Sequence, residues 1–315
     1  MIVVETELTV VVPNFNGAAF IGETLDALAA QERRPAKTIV VDNGSTDDSS
    51  QLLAQRPDVE VLALGRNTGF GGAANAGLRS ASTPYVAILN SDARPEPTWL
   101  AALAGAPMAE DCWALGSIQI SGDGLIETAG DMIAIDGTSV KFLHGRSLDD
   151  LPAEPYRILA PPGAALVLRR DVVEALGGWF EPYFLYYEDL DLAVRARYAG
   201  YHALVIPTAR VRHDLARSST RAARTRRFIA RNSVWCFVRT NPDASLRLLR
   251  AQFRRGWRDA KARGYRSAFL TGKAWGMATV AGRLRERRLI LANARDRSWR
   301  LTDTPPGVVS ATGEG

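Results

Sequence analysis

The chain has 315 residues, 46% of them apolar and 23% charged, which is enough for a full core and excludes wholesale disorder. Two cysteines, Cys112 and Cys236, exclude a disulfide framework and a four-thiolate zinc site, and their apolar neighbours mark them as buried thiols of a reducing cytoplasm. No run approaches the ~18 apolar residues that a membrane span needs, and the opening Met-Ile-Val-Val-Glu-Thr-Glu does not read as a secretory signal. The net charge of +5 hides an asymmetry: residues 1–217 carry 17 basic and 28 acidic side chains, residues 218–300 carry 22 and 4.

The first ninety residues alternate strand and helix. A β-branched run over 8–12 stops at Pro13, and Phe20, Leu25 and Leu28 at helical spacing predict a helix over 19–31. Strands follow over 38–41, 59–64 and 85–89, with helices over 47–55 and 72–80 between them. This alternation predicts a parallel sheet with right-handed crossovers, in which ligands bind beyond the carboxyl ends of the strands. Asn14, Asp42, Asn67 and Asp92 all follow predicted strand ends. Strand and turn then dominate, with strands over 114–120, 133–135, 140–143 and 165–168. Helices over 171–176 and 190–199 close at Gly177-Gly178 and Gly200. Strands over 202–206 and 210–212 precede a basic helical stretch to about residue 300 and a frayed tail at 301–315.

Four places can carry chemistry. Asp42 ends an apolar strand and opens a tight turn, where a carboxylate can accept the imide N–H of a uracil or thymine ring; an ordinary turn aspartate is the competing reading. Asp92, in Asn90-Ser91-Asp92, can hold a divalent cation, since Mg²⁺ often takes only one or two protein carboxylates. Glu188 and Asp189 start a helix whose apolar face is Leu190, Val194 and Tyr198. Adjacent carboxylates cannot share one helical face, so their roles differ. Acidic charge at a helix N-terminus, worth ~0.3–1 kcal/mol, is the simpler account, but it leaves the aromatic lead-in Trp179-Phe180-Glu181-Pro182-Tyr183-Phe184 unexplained. His213 ends a predicted strand and offers an imidazole to a metal, or serves structure alone. Gly69-Phe70-Gly71-Gly72-Ala73-Ala74 fits a dinucleotide fingerprint, but it follows the third strand, not the first.

Taken in order, Val12-Pro13-Asn14-Phe15-Asn16-Gly17, Val41-Asp42-Asn43-Gly44-Ser45-Thr46-Asp47, the segment 67–77, Leu89-Asn90-Ser91-Asp92-Ala93 and the segment 177–192 resemble the family 2 glycosyltransferases. The likeness covers about residues 8–219, and its flavour is that of bacterial rhamnosyltransferases building cell-surface polysaccharide. It implies an α/β GT-A fold, a Rossmann-like mixed sheet flanked by helices, over 1–219. A basic amphipathic helical region follows over 220–300, then a flexible tail over 301–315. It implies an inverting, metal-dependent transfer from a dTDP- or UDP-sugar, with rhamnose as the sugar, to a polyprenyl-linked or saccharide acceptor. Asp42 matches the base-binding aspartate, and Pro13, Asn14 and Asn16 flank the nucleoside. Asn67, Gly71 and Ser91 complete the implied nucleotide contacts. Asp92 and His213 match ligands of Mg²⁺ or Mn²⁺, Asp189 matches the general base, and Glu188 is its catalytic neighbour. Asn90 stands where the metal motif often carries a first Asp, so one formal charge is lost.

In the basic region Arg221, Arg224, Arg226, Arg227 and Arg231 alternate with Phe228, Ile229 and Trp235. These predict amphipathic helices on an anionic membrane surface, the inner face of a bacterial plasma membrane. Helices packed on the catalytic domain and a homodimer contact are the competing readings; nucleic-acid binding is set aside. The alternative to an enzyme is a catalytically silent scaffold that binds membrane or partner through this region.

Overall fold

Ten strands of the described residues make one mixed sheet; the computed structural model describes residues 2–3, 8–213, 223–296 and 298–300. The predicted tail at 301–315 and Arg221 lie outside the described residues. The strands are β1 (Leu8–Asn14), β2 (Lys37–Asp42), β3 (Glu60–Ala63), β4 (Tyr85–Leu89), β5 (Ala93–Pro95), β6 (Cys112–Ile120), β7 (Ile126–Thr128), β8 (Tyr156–Ile158), β9 (Ala165–Arg169) and β10 (His202–His213). They lie in the order β8-β10-β6-β9-β4-β1-β2-β3, with β5 on β10 and β7 on β6. The four strands β4, β1, β2 and β3 run parallel, and β9 is antiparallel to both β4 and β6. Helices α1 (Ile21–Ala29), α2 (Ser49–Ala54), α3 (Gly69–Ser80), α4 (Trp99–Ala104), α5 (Arg170–Ala175) and α6 (Glu188–Tyr198) flank the sheet, and α7 (Ala223–Thr240), α8 (Leu246–Ala262), α9 (Arg266–Ala278) and α10 (Val280–Ala292) follow it.

The near-continuous apolar strands reflect burial on both faces. Val11, Ile39, Val41, Val86 and Ile88 pack into one core with α3. Val10, Val12, Val40, Ala87 and Leu89, their alternating neighbours, pack into the other with α1 and α4. Helix α3 lies close on the sheet because it is built of small residues: a Cβ on Gly77 would overlap the Val11 side chain. The helix also starts three residues earlier than its apolar periodicity predicts, at Gly69, whose φ of +80° suits only glycine and whose Cβ would overlap the Phe184 backbone.

Two further differences have local causes. The strands predicted at 133–135 and 140–143 form a hairpin a few residues earlier, Asp131–Ile133 with Ser139–Lys141, because Gly137 turns the chain at φ +80°. The strands predicted at 202–206 and 210–212 are one strand, β10, whose pairing with β6 shifts between Ile206 and Arg210, around Pro207. Packing crosses the boundary drawn at residue 219: Trp235 and Cys236 of α7 are buried in the same core as Tyr183, Tyr187 and Tyr198.

Replacing Gly77 by Ala should cost ~1–3 kcal/mol through overpacking against Val11, read as a lower urea midpoint at unchanged slope.

Candidate active site

Segments far apart in sequence meet beyond the carboxyl end of β4. The strand delivers Asn90-Ser91-Asp92, and β5 immediately pairs with the end of β10, Ala93 opposite His213. This register sets Asp92 beside the imidazole, with Nε2 3.2 Å from Asp92 Oδ1. The other ring nitrogen, Nδ1, lies 2.7 Å from Glu127 Oε2. Glu127, on β7, is 2% exposed, and its Oε1 accepts a hydrogen bond of 2.6 Å from Lys141 Nζ. Burial alone would lower the His213 pKa, but the hydrogen bonds to Asp92 and Glu127 outweigh it and hold the imidazole up at about 9.

The Glu188-Asp189 pair is presented by a strained loop. Phe184, Tyr186 and Tyr187 have φ of 68°, 67° and 74°, a region that costs bulky residues ~1–3 kcal/mol each. Helix α7 holds the loop in place. Asn232, fully buried, donates from Nδ2 to the carbonyls of Tyr183, Leu185 and Tyr186 at 3.0, 2.8 and 2.8 Å. Arg231 donates to those of Pro182 and Tyr183 at 3.0 and 2.7 Å. The N–H of Phe70, in α3, reaches the Phe184 carbonyl at 2.8 Å.

Three acids crowd together where this loop enters α6. Burial, and then the neighbouring Asp189 charge, push Glu188 up to about 8 and Asp131 up to about 7. The helix N-terminus is expected to keep Asp189 readily ionised, yet burial outweighs it and raises Asp189 too, against the 2.8 Å hydrogen bond from the Leu190 N–H. Glu188 Oε2 is buried with no hydrogen-bond partner. Both carboxyls of the pair are thus raised, Glu188 by burial and then by the Asp189 charge, Asp189 by burial. Space is kept at Asp189 by Gly163, whose added Cβ would stand 2.8 Å from Asp189 Oδ2. Asp191, two residues on, is fully buried between Arg195 and Arg239; although burial opposes ionisation, these cations hold its carboxyl low. It braces α6 and does not line the cavity.

Asp92, Glu188, Asp189 and His213 line one cavity of about 790 Å³, together with Glu127, Asp131 and Lys141. The other predicted residues lie outside that lining, along the neighbouring strand ends. Asn14 and Asp42 end β1 and β2 as register partners, Pro13 pairs with Val41, and adjacent strands ~4.8 Å apart put Asp42 ~10 Å from β4 along the same edge. Asn14 Oδ1 is buried without a hydrogen-bond partner. Asn16 Oδ1 accepts from the Thr46 N–H at 2.8 Å, and Asn67 Oδ1 from the Gly69 N–H at 2.8 Å. The Ser91 carbonyl accepts from Thr24 Oγ1 at 2.8 Å. Gly71 is a packing position, where a Cβ would stand 3.1 Å from that of Trp179.

Sequence reasoning missed Glu127, Asp131, Lys141 and Asn232.

A parallel half-sheet, a carboxylate after its fourth strand and an acidic pair opening a helix define a GT-A-type sugar transferase. The chain belongs to glycosyl transferase family 2, whose sequence profile matches residues 9–177. It is 30% identical over 239 residues to the N-acetylglucosaminyl-diphospho-decaprenol L-rhamnosyltransferase of Mycobacterium tuberculosis (strain CDC 1551 / Oshkosh), covering 68% of this chain and 78% of that protein. Two solved structures share the fold. The mannosyltransferase PcManGT from Pyrobaculum calidifontis, in complex with GDP-Man and Mn²⁺, aligns with a TM-score of 0.54 at 20% identity, over 92% of this chain and 75% of that one. GalNAc-T7 with UDP, GalNAc and Mn²⁺ aligns with a TM-score of 0.59 at 16% identity, over 92% and 58%.

Because Glu188 binds its proton more tightly folded (about 8) than at its usual 4.5, its contribution to stability is full below the lower value and lost as pH rises through the higher. Between about pH 5 and pH 9 the melting temperature of the wild type should fall more steeply than that of Glu188→Gln, as thermal unfolding of the two proteins will show.

Proposed function

We propose that the protein is an inverting, metal-dependent glycosyltransferase that moves a sugar, rhamnose, from a dTDP- or UDP-linked donor to a hydroxyl of a polyprenyl-linked or saccharide acceptor in bacterial surface-polysaccharide synthesis. One observation carries the reading. Asp189, a half-buried carboxylate with no ion-pair partner among the described residues, opens into the cavity that also holds Asp92 and His213. The similarity to a rhamnosyltransferase supports the choice of sugar and of a lipid-linked acceptor.

The donor set suits a divalent cation. Asp92 and His213 bring an oxygen and a nitrogen together, and the buried Asn90 Oδ1 beside them has no hydrogen-bond partner. Glu127 accepts from the far ring nitrogen and fixes the imidazole, a common arrangement behind metal-bound histidine. Among the described residues no group of three or more His, Cys, Asp and Glu is placed to hold an ion by itself. Asp92 and His213 would thus hold Mg²⁺ or Mn²⁺ with coordination left over for diphosphate oxygens and water. When bound, the ion supplies Lewis-acid neutralisation of the departing nucleotide diphosphate. Asp42, beside Asn14, would receive the base. Asp189 takes the proton of the acceptor hydroxyl as that oxygen attacks the anomeric carbon from the face opposite the leaving group.

Asp189→Asn should fold and bind donor yet lose ~10²–10⁴-fold in kcat. Product formation by mass spectrometry, beside calorimetric titration of UDP with Mn²⁺, checks this, and near-wild-type turnover would remove Asp189 as the base.

No helix of the described residues is long and apolar enough to cross a membrane. Leu246, Phe253, Leu270, Trp275 and Leu289 are nonetheless exposed on α8, α9 and α10, among the exposed Arg247, Arg250, Arg254 and Arg258 of α8. This face would rest peripherally on an anionic bilayer at the cytoplasmic side. Charge reversal at Arg250 and Arg254 should release the protein from anionic liposomes in flotation, each removed charge being worth ~1 kcal/mol near the surface.

A further inference from the structure

The cavity is electrically two-sided. One side carries Asp92, Glu127, Asp131 and, at the start of α6, Glu188 and Asp189, with Lys141 among them, whereas the side made by the C-terminal helices carries Arg226, Arg255, Arg263 and Lys273 with Asp259. The four cations come from α7, α8, the residue after α8, and α9. Two of them are answered by carboxylates, Arg255 by Asp136 at 3.4 Å and Arg263 by Asp259 at 2.8 Å. Arg226 lies over the Tyr265 ring, 4.7 Å from its centroid, a contact that occupies its face and not its N–H donors.

Lys273 is the most telling. It is 7% exposed, and both its hydrogen-bond acceptors are neutral: Ser233 Oγ at 2.9 Å and Gln252 Oε1 at 2.5 Å. The Gln252 amide cannot turn away, because its Nε2 is spent on the Asp136 and Ser233 carbonyls at 2.8 and 3.1 Å. An ammonium has three protons, so one donor remains, on a group that lines the cavity. Burial lowers Lys273 to about 7, an effect that an anion beside it would reverse. The carboxylate whose charge favours this ammonium is Asp136, which already pairs Arg255, so the two cations share one counter-charge. The wall thus has two more cations than the carboxylates that answer them.

We propose that this basic wall seats a phosphate or diphosphate carried by the acceptor, placing the acceptor's hydroxyl toward Asp189 at the opposite wall. The proposal rests on the glycosyltransferase reading and gives its acceptor a chemistry: a saccharide bearing an anionic phosphate group. Arg255 and Lys273 converge on the phosphate oxygens from α8 and α9, and Arg226 covers them from α7.

The test uses the full chain and inorganic pyrophosphate as probe, titrated calorimetrically in EDTA so that no divalent ion recruits it to Asp92. Binding should be retained in Asp92→Asn and weakened about tenfold or more in Arg255→Gln and in Lys273→Met, the loss expected for a charge-assisted hydrogen bond. Arg255 is half exposed, so its variant reads the site even if Lys273→Met fails to fold. Undiminished binding in both variants overturns the proposal. A second arm assigns the phosphate to acceptor or donor: with UDP and Mn²⁺ saturating, N-acetylglucosamine 1-phosphate should still bind, and its methyl glycoside about tenfold or more weakly. Loss of sugar-phosphate binding under UDP would give the wall to the donor and overturn the acceptor assignment. Mn²⁺-dependent donor hydrolysis by the wild type, measured in parallel, tests the underlying enzyme reading separately.

Discussion

The clasp between Asn232 and the loop before α6 is the interaction on which the site depends. Three non-glycine residues of that loop occupy left-handed backbone conformations, and such strain persists only where surrounding structure over-determines it. A single buried amide accepting no compromise in position, together with the Arg231 guanidinium, ties down the loop's carbonyls. Arg231 is in turn sandwiched against Trp235 and Trp275, at 4.1 and 4.2 Å from their ring centroids. The basic C-terminal helices therefore do structural work at the acidic centre. Their arginines are not merely a charged coat.

Environment, not residue type, separates the acids of this region. Asp189 and Asp191 sit two positions apart on one helix. Asp191 faces two guanidiniums and is held ionised as a brace. Asp189 faces a cavity, another carboxyl and a glycine, so burial raises it and leaves it available to a proton. Glu188 and Asp131 are raised beside it, by burial first and by the neighbouring Asp189 charge second. Glu127 follows the opposite logic, held low by His213 and Lys141 despite its burial.

Much of this was legible in the chain itself. Alternating strand and helix over the first ninety residues located β1 to β4 to within a few positions, because strands buried on both faces are short apolar runs with turn residues at each end. Asp92 and His213 were legible as polar residues placed where a strand stops, and Glu188 and Asp189 as an acidic pair opening a helix. Glu127 was not, because its role is set by pairing between strands far apart in sequence, and no local pattern encodes that. Nor was the early start of α3, whose reason is the backbone of Phe184 lying more than a hundred residues away. The arginine-rich segment read as a surface feature because charge dominates its composition, whereas α7 is mostly buried, with Phe228, Trp235 and Phe237 inward and arginines stacked on rings.

The pairing of β5 with the end of β10 has a consequence for biosynthesis. Asp92 acquires His213 as a neighbour only once strand residues made some 120 positions later have docked, and the loop bearing Asp189 is secured only by α7, later still. A nascent chain emerging from the ribosome could thus complete its parallel half-sheet, with Asn14, Asp42 and Asp92 in place, while the transfer centre stayed open. The order of synthesis itself would delay the closing of this cavity until the C-terminal helices have docked.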